Sequence, residues 1–358
     1  MELGPNLFLS SGAHPNDIRA DVVVIAVIRD EMWRMPFFLA YHRWLGVQHF
    51  IIIDNRSCDG TSDFLAREPD VTCIHAPGDY GGDPKGQTVW LKWALRLAPP
   101  RRWNLVLDAD ELFVGAELQR NSLLALTRNL SWEGAAIVVT SLVDCYPATL
   151  SFSEHFEPVP WKRAPYFDVG PYFVWPARSS IRYIQRGVRQ RVCWPHWHRI
   201  QWLRKVVPRP FRTHHFRDSP PAVVKMPLLR NVPGLNFMNV HESNGAPRSK
   251  HLFALLHYKL DLDLAKKVPL ALAERQYWQG SRQYRSYGRL IEMSDADLRF
   301  EGTRVFTGVQ SLVDAQLVCS ELELGALTAG AETNVDAVVN EIWACGDYAL
   351  QQRVWITA

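Results

Sequence analysis

The sequence predicts an α/β fold, a mainly parallel sheet flanked by helices, and two observations predict it. Short apolar, β-branched runs alternate with stretches of helical apolar period from Asp21 to about Glu111. The polar clusters Arg29-Asp30-Glu31, Asp54-Asn55-Arg56 and Asp108-Ala109-Asp110 each follow directly on an apolar run. Strands alternating with helices build parallel sheets covered on their faces, and such sheets bind ligands outside the carboxyl ends of their strands. Val22 to Ile28 is the first strand by its length and β-branching. Pro36 then opens a helix whose Phe37, Phe38, Ala40, Tyr41, Trp44 and Leu45 recur at helical spacing until Gly46 ends it. His49 to Ile53 is the second strand, and the turn Asp54 to Thr61 leads into a short helix with Ser57 or Asp59 as N-cap. Val71 to His75 is the third. A helix from about Pro84 to Ala98 turns Val89, Trp90, Trp93, Ala94 and Leu97 to one face, and Trp103 to Leu107 runs straight into Asp108. Ala135 to Leu142 reads as another buried strand; His251 to Leu260 alternates, with Phe253, Leu255, His257 and Lys259 on one face, before a helix from Asp261 to about Tyr277. The expected division is an extension over 1–20, halves of one domain over 21–145 and 146–260, and a mostly helical region over 261–358.

With 358 residues, 47% of them hydrophobic and 22% charged, the chain has the length and composition of one large folded domain with additions, not of a disordered protein. Its net charge of +3 says nothing by itself about partners. Six cysteines without a CxxC pair, and a beginning without a basic stretch followed by an apolar one, lead to the expectation of a cytoplasmic protein, peripheral at the inner membrane face at most. The run Val22 to Ile28 falls far short of the ~20 residues of a membrane span. Fourteen tryptophans supply flat faces on which sugars stack, or else an aromatic core.

Asp108 and Asp110 are the strongest chemical signal. An Asp-x-Asp after a strand points two carboxylates to the same side, and Mg2+ or Mn2+ is held by one or two carboxylates together with substrate phosphates. A cation there neutralises a departing diphosphate; the competing reading is a pair of acids that cap a helix. Gly81 to Thr88 is no phosphate loop, because Lys85 precedes its glycine.

Val22 to Glu31, Tyr41-His42-Arg43-Trp44-Leu45-Gly46-Val47, Ile53 to Thr61, and Leu107-Asp108-Ala109-Asp110-Glu111-Leu112-Phe113 follow one another in order. In this order they resemble the glycosyltransferase family 2 superfamily, and more narrowly its branch similar to family 92. The likeness covers residues 21 to about 115 and continues more weakly through Asp144-Cys145-Tyr146-Pro147, Phe167-Asp168, Lys225-Met226-Pro227 and Leu255 to Lys259. It departs at Asp30, where the branch carries Asn, and at Leu112, which interrupts its acidic-Phe signature; neither removes a carboxylate.

The resemblance implies a GT-A fold, with 21–145 binding a nucleotide-sugar and 146–260 an acceptor. It implies transfer of a sugar from a UDP- or GDP-linked donor to a hydroxyl of a glycan or lipid-linked acceptor, with inversion. Arg29, Glu31, Asp54, Asn55 and Arg56 would lie by the nucleotide, Asp108 by its ribose or the metal, and Asp110 and His257 on the Mn2+ or Mg2+ ion. Lys259 would meet a phosphate as a point charge. An inverting transfer needs a carboxylate to deprotonate the acceptor; Asp144 and Asp168 are the leading candidates, with Glu242 behind them. Rival readings are a nucleotidyltransferase, whose Gly-rich loop after the first strand is missing from Arg29 to Trp33, and a non-catalytic carbohydrate-binding protein on the same fold.

Residues 169–217 carry eleven Arg or Lys and no Asp or Glu, interleaved with Trp175, Trp194, Trp197 and Trp202. Such a stretch suits an anionic acceptor, an acidic membrane contacted through 178–217, or a solvated arm. Nucleic acid is not expected, since no recognised module accompanies the charge. Cys193, His196 and His198 are not at a usual zinc spacing.

Overall fold

The computed structural model describes residues 2–4, 6–81, 86–115, 120–150, 157–169, 173–176, 182–185, 187–195, 222–261, 263–292, 295–319 and 339–344. Its strands are β1 (Glu2–Gly4), β2 (Leu7–Ser11), β3 (Val22–Ile28), β4 (His49–Asp54), β5 (Val71–His75), β6 (Trp103–Leu107), β7 (Glu111–Val114), β8 (Ile137–Asp144), β9 (Tyr166–Asp168), β10 (Phe173–Pro176), β11 (Arg182–Gln185), β12 (Val224–Arg230), β13 (Asn236–Asn239), β14 (Glu242–Asn244), β15 (Arg248–His257) and β16 (Thr303–Val305). The helices of three turns or so are α1 (Met35–Leu45), α2 (Gly86–Leu97), α3 (Ser122–Trp132), α4 (Leu264–Glu274) and α5 (Trp278–Glu292).

The chain forms two compact units. The first comprises Met1–Ser141, Lys225–His257 and Thr307–Ala358. It is α/β and Rossmann-like, built on a large sheet in the order β1-β2-β5-β4-β3-β6-β12-β8-β15-β7. The middle of the sheet, β5-β4-β3-β6, is parallel throughout. In chain order that is 3-2-1-4, and the order reverses beside β3, the point at which open α/β sheets take their ligands. Antiparallel strands extend it on both sides: β2 pairs with β5, β12 with β6, and β15 with β7.

Local sequence explains the centre. All seven residues of β3 are buried, as a parallel strand covered on both faces requires. Nearly every residue of α1 is buried as well; the exception, Arg43, donates to Glu68 at 2.6 Å and to Asp70. Tyr41 Oη donates to the Phe113 carbonyl at 2.7 Å, and burial holds the His42 imidazole down at about 3. Gly46 ends the helix at φ 106°, its N–H returning to Arg43, where a side chain would strike Leu124. Asp59 accepts from Thr61 N at 3.0 Å, while the N-cap position of the next short helix is Gly60, not Ser57 or Asp59.

Two expectations change. Residues 1–20 do not stand apart: β1 and β2 join the sheet edge, with Leu7, Ile18 and Ala20 buried. Residues 225–257 belong with the first unit, because β12 and β15 complete its sheet. The helix expected from Asp261 to about Tyr277 is α4, which ends at a left-handed residue, Arg275, and α5 follows it.

The second unit comprises Leu142–Val224 and Tyr258–Phe306. Its core gathers Tyr146, Val188, Cys193 and Trp194 with Leu260, Leu264, Val268, Tyr284, Tyr287 and Leu290 from around α4 and α5. The pair β9–β16 and the hairpin β10–β11 belong to it. Trp194 is thus a core residue, not a binding surface.

Candidate active site

Register brings the predicted strand ends into line. Ile28 of β3 lies beside Asp54 of β4, and Ala26 beside Leu107 of β6, so Asp54 and Asp108 flank the end of β3. Two inter-strand spacings separate their backbones, about 10 Å. Each cluster then has its own chemistry.

The turn after β4 is locked to the loop after β3. Asp54 Oδ1 accepts from Ser57 N at 3.1 Å and Ser57 Oγ at 2.5 Å, and its Oδ2 accepts from Ser62 Oγ. Asp30, left-handed at φ 54°, receives the Cys58 N–H at 2.7 Å on its carboxylate. Asp59 receives Met32 N–H at 2.9 Å, Thr61 Oγ1 receives Glu31 N–H at 3.1 Å, and Glu31 pairs with Arg34 at 2.7 Å. Asn55 ties the turn to the strand beside it, donating to Ala76 and Gly78 carbonyls. Asp54, at 2% exposure with both oxygens engaged, therefore organises this turn. Arg29 sits 3.6 Å from Asp30 and Arg56 3.4 Å from Asp79, at the rim.

The turn after β6 is different. Asp108 keeps a partly exposed side chain, at 39%. Its backbone N–H donates to Glu111 Oε2 at 2.9 Å, which closes the Asp-Ala-Asp-Glu turn, and Gln87 from α2 approaches its Oδ1 at 3.4 Å. Glu111 opens β7, whose partner in β15 at that level is His257. That pairing sets His257 Nε2 3.7 Å from Asp110 Oδ2. Beneath the turn lies Lys225 of β12, 1% exposed, donating to Glu111 Oε2 at 2.5 Å and reaching Asp108 Oδ2 at 3.4 Å. Burial draws the Lys225 ammonium down, but the charges of Asp108 and Glu111 outweigh it and hold the group above its ordinary value. Burial pushes the Glu111 carboxyl upward, opposed by Lys225 and reinforced by Asp108 and Asp110.

No family model matches the chain, and no curated protein matches it. Among solved structures it is similar to a mannosyltransferase from Pyrobaculum calidifontis in complex with GDP-Man and Mn2+, at 20% identity over 37% of this chain and 38% of that one, TM-score 0.26. It is also similar to HddC from Yersinia pseudotuberculosis, at 16% identity over 37% of this chain and 64% of that one, TM-score 0.25. A 4-diphosphocytidyl-2C-methyl-D-erythritol synthase from Anaerococcus prevotii follows, at 12% identity over 46% and 68%, TM-score 0.25. The chain spans less than two thirds of the first two, and likenesses this slight carry no argument about activity.

Other expected residues lie elsewhere. β15 ends at His257, so Lys259 is not on the strand with it; its Nζ stands 6.0 Å from the Tyr284 ring in the second unit. Asp144, ending β8, is held by Arg189 through Oδ2 and Oδ1, each at 2.8 Å. Gly187, at φ 103°, lets the backbone pass where a Cβ would come within 3.3 Å of that carboxylate. Asp168 accepts from Tyr146 Oη at 2.5 Å and from Arg191 Nε at 3.1 Å, and burial pushes its carboxyl upward despite both. Glu242 opens the short strand β14. Arg189 and Arg191 are thus spent inside the unit, which removes these two from the basic stretch over 178–217. Arg178, Arg186, the stretch from His196 to Arg217 and residues 82–85 lie outside the described residues.

Sequence reasoning passed over Gln87, Glu111 and Lys225 as site residues. For Lys225 a signal existed: one lysine in the otherwise apolar run Ala222 to Leu229, a charge that enters a buried strand only when paired.

Proposed function

We propose that the protein is a glycosyltransferase that moves a sugar from a nucleotide-sugar donor, UDP- or GDP-linked, to a hydroxyl of a glycan or lipid-linked acceptor. The observation that carries the proposal is the turn after β6. There Asp108 and Asp110 follow the end of β6, next to β3 where the 3-2-1-4 order reverses, with His257 3.7 Å from Asp110. Among the described residues no three of His, Cys, Asp or Glu come close enough to hold an ion unaided. Two carboxylates and an imidazole nevertheless suit Mn2+ or Mg2+ beside a diphosphate, because such ions take one or two protein carboxylates and complete their shell with phosphate and water. The bound ion would supply Lewis-acid neutralisation of the leaving diphosphate.

The chain's own residues prepare that place. Lys225 and the Glu111 carboxyl fix the turn from below, so Asp108 presents its outer face. The locked turn from Asp54 to Thr61 and the loop from Arg29 to Arg34 form a rigid wall, with Arg29 and Arg56 at its rim for the nucleotide. Asp144 and Asp168 are both engaged by arginines, so the proposal gives them a structural task and does not rely on either as general base. Preorganised charge is where such a site gains its rate, since the dipoles need not rearrange during reaction.

A thermal-shift screen of nucleotide-sugars with and without Mn2+ tests the reading. The expected result is a donor-specific stabilisation that needs Mn2+ and is lost, with turnover, in Asp110→Ala. Turnover unchanged in Asp110→Ala would defeat it. Release of nucleoside diphosphate marks sugar transfer, whereas pyrophosphate formed from a nucleoside triphosphate would mark a nucleotidyltransferase, and metal-independent glycan binding without turnover a carbohydrate-binding protein.

A further inference from the structure

A polar concavity lies at the end of the same sheet opposite Asp108. Where β3 and β6 begin and β12 ends, a cavity of about 300 Å³ is lined by Arg101, Arg102, Arg128, Arg230, Trp132 and Asp21, among others. Arg230 is level with Trp103 in the β12–β6 pairing. The cavity is therefore separated from Asp108 by the length of β6, about 16 Å at 3.3 Å per residue. It is no part of the candidate active site.

Its charge is one-sided. Four guanidinium groups meet one carboxylate, and Asp21 is already taken by Arg102 in an exposed pair. Arg101 and Arg128 are exposed and have no ion-pair or hydrogen-bond partner for their guanidinium groups among the described residues, and the Arg230 guanidinium donates there only to the Arg101 carbonyl, at 3.3 Å. Arg101 is moreover held in a left-handed conformation at φ 62°. Like charges gathered around a concavity raise its potential and draw in anions, and the planar fork of arginine matches phosphate oxygens in pairs. Beside them Trp132 is 90% exposed, the most exposed large hydrophobic residue among those described. An indole at the edge of a cationic cluster suits a boundary that is apolar on one side and wet on the other.

We propose that this cleft binds a phosphate group, presented by an anionic phospholipid headgroup or by a soluble phosphate ester. Arg101, Arg128 and Arg230 grip the phosphate oxygens, and Trp132 packs against whatever carries them. The inference does not rest on the transferase reading.

The test uses the full chain in two arms. In the first, the protein is sedimented with vesicles of phosphatidylcholine alone or with phosphatidylglycerol added. In the second, inorganic phosphate and glycerol phosphate are titrated by calorimetry without vesicles. If the source is a lipid, the protein sediments with phosphatidylglycerol vesicles only, binding falls as salt is raised, and Arg128→Glu with Arg230→Glu weakens it more than about tenfold. Trp132→Ala then weakens vesicle binding as well. If the source is soluble, the phosphate titration saturates, vesicle binding is absent, and the arginine variant abolishes the titration. These side chains are surface groups, so circular dichroism and thermal unfolding of the variants should match the parent; Arg101→Ala repeats the test if the reversals do not fold. Binding in neither arm, or binding that survives the reversals, overturns the proposal.

Discussion

The two units use acidic residues at strand ends in opposite ways. In the first, Asp108 closes β6 with 39% of its side chain exposed, and its one full charge partner, Lys225, touches it at 3.4 Å from below. In the second, Asp144 closes β8 with its side chain 1% exposed and an arginine across both oxygens at 2.8 Å. Sequence alone presents both as an acid after an apolar run. The difference lies in what pairing leaves over. A carboxylate gripped on both oxygens inside a core has no exposed lone pair to offer a ligand, whereas one tethered on a single side keeps an open outer face. In the proposed reading the enclosed Asp144 serves the fold and the exposed face of Asp108 serves the ligand.

Breaking the enclosed pair gives the largest expected effect on stability. Arg189→Ala strands a buried Asp144, and loss of one partner from a buried pair costs about 3–5 kcal/mol. Chemical denaturation should show it, and replacing both residues by Leu and Met should recover most of the loss. A single variant as stable as the parent would erase the contrast between the units.

Lys225→Met probes the other side of the comparison. Removing the ammonium leaves Glu111 buried without its partner and Asp108 without its tether, a loss of about 3 kcal/mol for an uncompensated buried charge. Because the proposed divalent ion would supply positive charge to the same carboxylates, Mn2+ should raise the melting temperature of this variant more than that of the parent. Equal shifts would separate Lys225 from the metal place. A smaller effect is expected at Asp54, where Asp54→Ala removes the acceptor shared by Ser57 and Ser62, about 2 kcal/mol for bonds to a charged group. Donor affinity should fall with it, since the turn slackens, while Asp54→Asn keeps part of both.

How much of this was legible in the sequence follows from range. β3 to β6, α1 and α2 were readable because period, β-branching and Gly46 act within a few residues. The order of the acidic clusters was readable for the same reason. The antiparallel pairings were not: β15 reads as a strand, but that it finds β7, and that β12 finds β6, is decided across more than a hundred residues. Lys225 was hidden with them, since its meaning depends on the register that sets it under Glu111. The pairing of Asp144 and Asp168 was hidden because an acid at a strand end looks the same whether or not an arginine 45 or 23 positions later will fold back onto it. Asp54 was placed in the right turn, but its bonds to Ser57 and Ser62 show that its first task is to hold that turn.

The smallest expected effect sharpens the comparison through pH. Asp168 accepts from Arg191 and Tyr146, with Thr303 sharing the Tyr146 hydroxyl and the Asp144 charge nearby. Burial nevertheless outweighs the arginine and the tyrosine, and the carboxyl is raised above its ordinary 3.8. A raised acid holds its proton more tightly in the folded state than in the unfolded one. Its contribution to stability is therefore full below the ordinary carboxylate value and is lost as pH climbs through the raised one. Asp168→Asn cannot ionise, so its unfolding free energy should decline less than the parent's as pH rises from 3.8 upward. If the arginine and tyrosine instead dominated burial, the sign would reverse, and the parent would gain stability over the same range where the variant stays level. The slope of the difference between the two curves thus decides whether this enclosed acid is held mainly as an ion or tolerated in spite of its charge.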